Sequence, residues 1–416
     1  MTHFRDVLKN RNFLFLWLGQ VVSNFGDRLN QMALVALVYQ RNPGSEIALA
    51  KLISFTIIPV FIIGPIAGAW VDRMNRKNIM VVSDLLRGTL VLSIPLFIRF
   101  NQILPVYFVI FVLFSISRFF IPSKMAIIPE LVPKDKLLAA NALQDTTHMI
   151  GNVVGLVVAG IIVNIAAIGA IGGFYIDSAT FFISALLIGM MAQREFAAHV
   201  KEDLEVTAHA LESSFRKSVF REIKEGFGYL ARHSNMRFVV YVFFLLMAGV
   251  GAISCVIIVF IQGAFGTSTR DLGFLGMFLV GGLLLGAVSY GKFGQRIARK
   301  RAVQMSFAAM GVCVIAFVFF VNRYPNLLLG GILAALIGAS ASPIMSAVNT
   351  LTHETIPEEA RGRIFSSLEA VIHLAFLVFM FIAAYAARFI SRELILTAAG
   401  AVFLVCGIAG LVKKGE

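Results

Sequence analysis

Apolar residues run along this chain in twelve blocks of about 20, the length a helix needs to cross a bilayer. The blocks occupy roughly 13–39, 47–70, 79–98, 105–121, 139–165, 171–191, 237–262, 272–290, 303–321, 327–350, 364–388 and 394–412. None shows the polar–apolar alternation over ~10 residues that a membrane β-strand requires. The pattern predicts an all-α polytopic membrane protein with twelve transmembrane helices. One polar stretch, 192–236, separates six blocks from six. The expected organisation is a six-helix bundle over 1–191, a linker over 192–236 and a second bundle over 237–416. Phe215, Val219, Ile223, Phe227 and Leu230 fall at helical spacing in the linker. They predict either an amphipathic helix on the membrane face or a plain linker helix.

Composition agrees with this class. Of 416 residues, 58% are hydrophobic and 14% are charged, against about 25% charged in soluble domains. That excludes a disordered chain and a soluble globule. A net charge of +13 would suggest nucleic acid in a soluble protein. Here its distribution explains it. Counting span ends with their adjoining loops, the N-terminal segment, the even-to-odd loops and the C-terminal tail hold 26 of the 36 Lys and Arg residues, the opposite loops 7, and the span interiors 3. The positive-inside rule places both termini in the cytoplasm, and no nucleic-acid partner is needed. The first apolar block is longer than a signal peptide's and no small-residue cleavage site follows, so no cleavable signal is expected. Cys255, Cys313 and Cys406 lie inside apolar runs and offer neither metal spacing nor a disulfide framework.

The two halves repeat in register at an offset of 223 to 224. Asn12, Phe15 and Gly26 recur as Asn235, Phe238 and Gly249. Gly68, Arg73, Arg76 and Lys77 recur as Gly291, Arg296, Arg299 and Lys300. Pro133 and Asp145 are matched by Pro357 and Glu369, and a histidine follows each acid, His148 and His373. Agreement at several separate places predicts two pseudo-symmetric bundles with a substrate path between them.

The loop after span two reads Gly-x-x-x-Asp-Arg-x-Asn-Arg-Lys from Gly68 to Lys77. It resembles the signature loop of the major facilitator superfamily, with Asn75 where Gly is usual. Both residues tolerate a left-handed turn. Ser23-Asn-Phe-Gly26-Asp27 and the segment Pro122 to Pro133, followed by Ala140-Asn141, are similar to the macrolide-efflux and enterobactin-exporter branch. Lys124, two residues after Pro122, is also similar to lysophospholipid transporters. The resemblance implies the major facilitator fold, with spans one, four, seven and ten lining a central cavity and span three at the periphery.

The repeat offers a control on the charged residues. At the offset of 223, Asp27 and Arg28 correspond to Val250 and Gly251, Asp84 and Arg87 to Phe307 and Met310, and Arg118 to Ala341 or, at 224, Ser342. The second half is built without those charges, each of which costs roughly 2.5–3.5 kcal/mol inside a membrane. The first half needs a local reason for them. Asp27 lies ~21 Å into span one at 1.5 Å per residue. A carboxylate at that depth suits proton exchange or substrate binding, or a structural pair with an arginine. Arg28 points 100° away from it and meets either another partner or an anionic group. Asp84 and Arg87, spaced i, i+3, read as an intramembrane ion pair. Arg118, near the cytoplasmic end of span four, is a candidate for gating or substrate contact, and Lys124 stands at the membrane boundary. Asp177, Asp145 with His148, and Glu369 with His373 read as helix-N-terminal acids with nearby partners. No metal site is assigned to them. In the signature loop, Gly68, Asp72, Arg73, Arg76 and Lys77 read as a cytoplasmic gate, the bases pairing with acids across the seam.

Spans seven and ten carry no charge between Phe238 and Gln262 or between Leu327 and Ser346. A wall charged in the first half and apolar in the second suits an amphipathic molecule. The expected function is secondary active transport by alternating access: proton-coupled efflux of a drug-like or siderophore-like compound. The alternatives are a lysophospholipid transporter or flippase and a transport-inactive receptor or scaffold. No nucleophile–base pair or Walker-type loop marks an enzyme or an ATP-driven pump. A proton gradient, with no cofactor, supplies the energy. The expected setting is a monomer in a bacterial inner membrane, with lipid and substrate as its partners.

Overall fold

A computed structural model describes residues 4–71, 74–165, 167–192, 234–294, 297–355 and 361–412. The linker and its amphipathic stretch lie outside them. The described residues contain helices and no strand. A short helix α1 (Phe4–Leu8) precedes the first span, α2 (Arg11–Arg41). Span two is α3 (Glu46–Ile62) with α4 (Gly64–Val71), and spans three to six are α5 (Arg76–Arg99), α6 (Leu104–Leu131), α7 (Leu137–Asn164) and α8 (Gly169–Gly189). Spans seven to twelve are α9 (Ser234–Phe265), α10 (Arg270–Phe293), α11 (Arg299–Arg323), α12 (Leu327–Thr355), α13 (Arg361–Ala386) and α14 (Arg392–Val412). Over the described residues, nine helices are long and apolar enough to cross a membrane. The chain is an integral membrane protein.

Two spans depart from the apolar pattern for a physical reason. Span four was expected to stop before Pro122, yet α6 runs on through Pro122 and Pro129 to Leu131. A proline removes one helical donor, a loss that packed membrane helices tolerate. Ser123 Oγ, one residue on, donates to the Phe119 carbonyl at 2.8 Å. Span two is interrupted at Ile63, between Pro59 inside α3 and the Gly64–Pro65 start of α4.

Each unit has its own packing. The described residues of Met1–Leu37 and Lys51–Lys217 form one compact unit, and those of Val38–Ala50 and Ser218–Glu416 the other. In the first, α5 packs on α6 and α8, over a core that includes Phe13, Leu16, Met80, Phe120, Ile127 and Ile188. In the second, α11 packs on α12 and α14, and α10 on α12, around Phe243, Phe307, Ile344 and Phe403. The helix pairs correspond span by span, as the sequence repeat requires. Lipid tails are as apolar as leucine, so contact between helices comes from close packing of small residues. A Cβ at Gly282 or Gly286 on α10 would overlap the backbone at Ala335 or Ala339 on α12. Outward-facing Leu96, Phe108, Leu186, Val288, Phe319 and Val405 are exposed, as lipid contact demands.

The segment 38–50 is fastened inside the second unit. Arg392 Nε donates to Glu46 Oε1 and Arg392 Nη2 to the Gly44 carbonyl at 3.1 Å. Gly44 has φ of 71°, a conformation that favours glycine.

Candidate functional site

The charged residues of the first unit converge. Gly26 on α2 sets the approach of α8, since a Cβ there would overlap Thr180 Oγ1 and Asp177 Oδ1. Its neighbour Asp27 is half-buried. Arg87, Arg28 and Lys124 are charged side chains whose fields reach Asp27, and His148 also lies within range. Arg28 turns towards α7. Its Nη1 donates to Gln31 Oε1 at 2.8 Å, and its aliphatic stem fills the hollow left by Gly155.

Asp84 and Arg87 form an ion pair through Asp84 Oδ1 and Arg87 Nη2, with side-chain exposures of 0% and 6%. The Arg87 guanidinium lies 4.4 Å from the centre of the Phe120 ring and 4.5 Å from that of Phe181. Beside it, Ser178 Oγ donates to the Gly88 carbonyl at 2.8 Å, which ties α5 to α8. The charged face of span three looks into the unit, where Gly88 lets the Phe181 and Phe182 side chains of α8 come against it, while Leu85, Leu86 and Leu92 are exposed.

Asp177 is fully buried. Thr180 Oγ1 stands 3.4 Å from its Oδ1, and Asn30 of α2 also faces it. The expectation of a helix-N-terminal acid does not hold. Asp177 lies eight residues after Gly169, the first residue of α8, and the helix dipole acts only within the first turn. Asp145 likewise stands eight residues after Leu137, the first residue of α7. Glu369 stands eight after Arg361, the first of α13, and the His373 Nδ1 lies 2.9 Å from the Glu369 carbonyl. Asp177 was not among the candidates for function. The repeat could have found it, because the offset of 223 sets Asp177 against Gly400.

Within the continued α6, Lys124 is half-buried and stands seven residues before Leu131, where the helix ends. Asp145, Asp27 and Arg87 all act on it. Arg118 sits fourteen residues after Leu104, the start of α6, and is half-buried. On α7, His148 Nδ1 faces Asn152 Nδ2 at 3.3 Å and feels Lys124, Arg28, Asp27 and Asp145. Trp17 Nε1 donates to Thr147 Oγ1 at 2.9 Å, one residue from His148. Five helices of one unit thus carry four carboxylates, two arginines, a lysine and a histidine, each within electrostatic reach of at least one of the others.

In the signature loop, Asp72 and Arg73 lie outside the described residues, and Gly68 falls in α4. Asn75 is not in a left-handed turn. It caps α5 with φ of −66° and ψ of 110°, its side chain accepting from the Asn78 backbone N–H at 3.2 Å. Asn supplies a capping oxygen that Gly lacks. Arg76 pairs with Glu130 and donates to the Ala126 carbonyl at 3.1 Å. Lys77 Nζ, buried, donates to the Met191 carbonyl at 2.6 Å. These partners lie in the same unit, on α6 and just after α8. The extension of α6 past Pro122 is what carries Glu130 to Arg76.

Residues 16–254 and 239–414 each match the profile of the Major Facilitator Superfamily. The chain is 24% identical over 416 residues to the uncharacterized MFS-type transporter YfiS of Bacillus subtilis (strain 168), covering 97% of this chain and 93% of that one. It is 27% identical over 380 residues to macrolide efflux protein A of Streptococcus pyogenes, covering 87% and 86%. A bacterial homologue of the iron transporter ferroportin, solved in an inward-facing state, shares the fold with a TM-score of 0.70 at 14% identity, over 97% of this chain and 98% of that one. The chain belongs to the Major Facilitator Superfamily, and is accordingly a membrane transporter rather than an enzyme, resembling the macrolide-efflux branch.

Proposed function

We propose that this transporter exports an amphipathic, drug-like molecule from the cytoplasm in exchange for entering protons. It works by alternating access in a bacterial cytoplasmic membrane, with both termini inside. The observation that carries this reading is the charge cluster around Asp27 in the first unit, set against spans seven and ten, which lack charge over 238–262 and 327–346. Asp27 is the proton-carrying group, with Arg28, Arg118 and Lys124 in reach of a polar substrate head. The relative named for macrolide efflux supports a bulky amphipathic substrate. The signature-loop residues Gly68, Asp72, Arg73, Arg76 and Lys77 act as the cytoplasmic gate.

The gradient sets the scale. One proton entering across 100 mV releases about 2.3 kcal/mol, and one pH unit adds about 1.4 kcal/mol. Together these support a substrate ratio of roughly 500-fold for a neutral molecule.

Liposomes holding the purified chain, with an imposed proton gradient and labelled erythromycin, test the reading. Wild type concentrates the macrolide and Asp27→Asn does not, while Asp27→Asn still binds it. Gradient dependence that survives Asp27→Asn removes Asp27 from coupling. Labelled lysophospholipid, moved in the same vesicles without regard to the gradient, would replace the proposed substrate class.

A further inference from the structure

The exposed arc of α7 is of two kinds. Ile150, Val154 and Ile161 are exposed and lie about 140–180° around the helix from Asp145, at 100° per residue. That side suits lipid. Asn141, Asp145 and His148 are also exposed and Asn152 is half-buried, yet these four fall within about 60° of one another. Polar groups on a membrane helix face a water-filled path or the bundle interior, not lipid. The strip begins about 6 Å from the start of α7 and ends about 22 Å along it, at the middle of a 28-residue helix. Contacts to α2 fix its direction. Trp17 Nε1 donates to Thr147 Oγ1 at 2.9 Å, and the Arg28 stem fills the hollow at Gly155; both lie on the flank of α7 between the lipid side and the strip.

The strip sets donors and acceptors side by side. Asn152 Nδ2 lies 3.3 Å from His148 Nδ1. With the amide donating, the imidazole is the tautomer whose Nε2 carries the hydrogen, so Nε2 is a donor. The Asp145 carboxylate and the amide oxygens of Asn141 and Asn152 are acceptors, and the Asn141 amide nitrogen is a further donor. A hydroxyl group both donates and accepts, and adjacent hydroxyls match such a row. Lys124 of α6 stands within electrostatic reach of Asp145, so the one carboxylate of the strip has an opposite charge nearby, and an uncharged polyol fits it better than a cation. Leu138 and Met149, both exposed, lie within about 40° of Asp145 and give the strip an apolar border. We propose that this face of α7 binds the hydroxyl groups of the transported molecule through Asn141, Asp145, His148 and Asn152, so that the substrate class is an amphipath with a sugar or similar polyol head. The inference rests on the reading of the chain as an exporter of amphipathic molecules and narrows it. A few placed polar groups in an otherwise apolar site are what orient a ligand and set its specificity.

The test is direct binding to the full chain in phosphatidylcholine nanodiscs, measured over the signal from empty nanodiscs. Three labelled probes are titrated: erythromycin, which bears sugars; erythronolide, its sugar-free core; and tetraphenylphosphonium, an amphipathic cation without hydroxyls. Wild type should bind erythromycin about tenfold or more tighter than erythronolide. His148→Leu and Asn152→Leu should each weaken erythromycin about threefold to tenfold, the worth of one hydrogen bond, and leave the other two probes as in wild type. Unchanged melting, read from Trp17 and Trp70, the two tryptophans of the chain and both in the first unit, shows that the variants fold. Erythronolide bound as tightly as erythromycin, both weakened equally by the variants, or erythromycin indifferent to them overturns the proposal and leaves the exporter reading standing. Asp145→Asn that weakens erythromycin and tetraphenylphosphonium alike makes the strip a cation site and also overturns it. Wild type that binds none of the three fails the exporter reading itself, and the proposal with it.

Discussion

Removing one member of the Asp84–Arg87 pair should be far more damaging than removing both. Asp84 is fully buried and Arg87 has 6% side-chain exposure, so neither can reach water when its partner is gone. Breaking a buried pair from one side costs about 3–5 kcal/mol, whereas replacing both members with apolar residues is often neutral or stabilising. The variants are Arg87→Met, Asp84→Leu and the double. A 150–250-residue domain loses roughly 2–4 °C of melting temperature per kcal/mol. Each single variant should therefore melt about 6–20 °C lower, and the double within a few degrees of wild type. Trp17 and Trp70 report on the unit concerned, so their fluorescence during heating reads the unfolding. With each single variant losing about 3–5 kcal/mol and the double almost nothing, the coupling energy from the cycle should be about 6–10 kcal/mol, beyond the range usual for residues in contact. A double variant that loses the sum of the two singles would refute the claim that the pair is one buried unit.

Two other predictions concern packing. Gly26→Val drives a branched side chain into Thr180 and Asp177 and should destabilise the first unit by about 1–3 kcal/mol, read in the same melting assay. Arg392→Gln breaks the ion pair to Glu46 and loosens the hold on the Gly44 carbonyl. Amide hydrogen exchange at residues 44–46 should quicken by about tenfold for each 1.4 kcal/mol lost, with exchange in α11 unchanged.

Helix number, type and repeat were legible in the amino-acid sequence because the bilayer imposes a length and an apolar face on every span. Span ends were less so where proline intervened. Pro122 reads as a stop, and only the packed neighbours of α6 show that it continues. That one extension carries Glu130 to Arg76, a pairing within the first unit. The charges of the site were each visible as costly exceptions in apolar runs. Their convergence was not, because it depends on which face of each helix turns inward. Gly26, Gly88 and Gly155 decide that by admitting α8 or Arg28 closely. Glycine in a membrane helix is too common for sequence alone to say which of them marks a contact. Asp177 escaped because an acid early in a span fits helix-dipole logic, and only the bounds of α8 remove that reading.

The central claim is that proton and substrate move in opposite directions through one chain. The most direct measurement uses liposomes with no proton gradient and a trapped pH dye. Erythromycin is placed on one side only. The macrolide running down its gradient should drive protons the other way in wild type, and Asp27→Asn should leave the dye silent. Macrolide movement with no proton signal, or an equal signal from Asp27→Asn, would contradict the account.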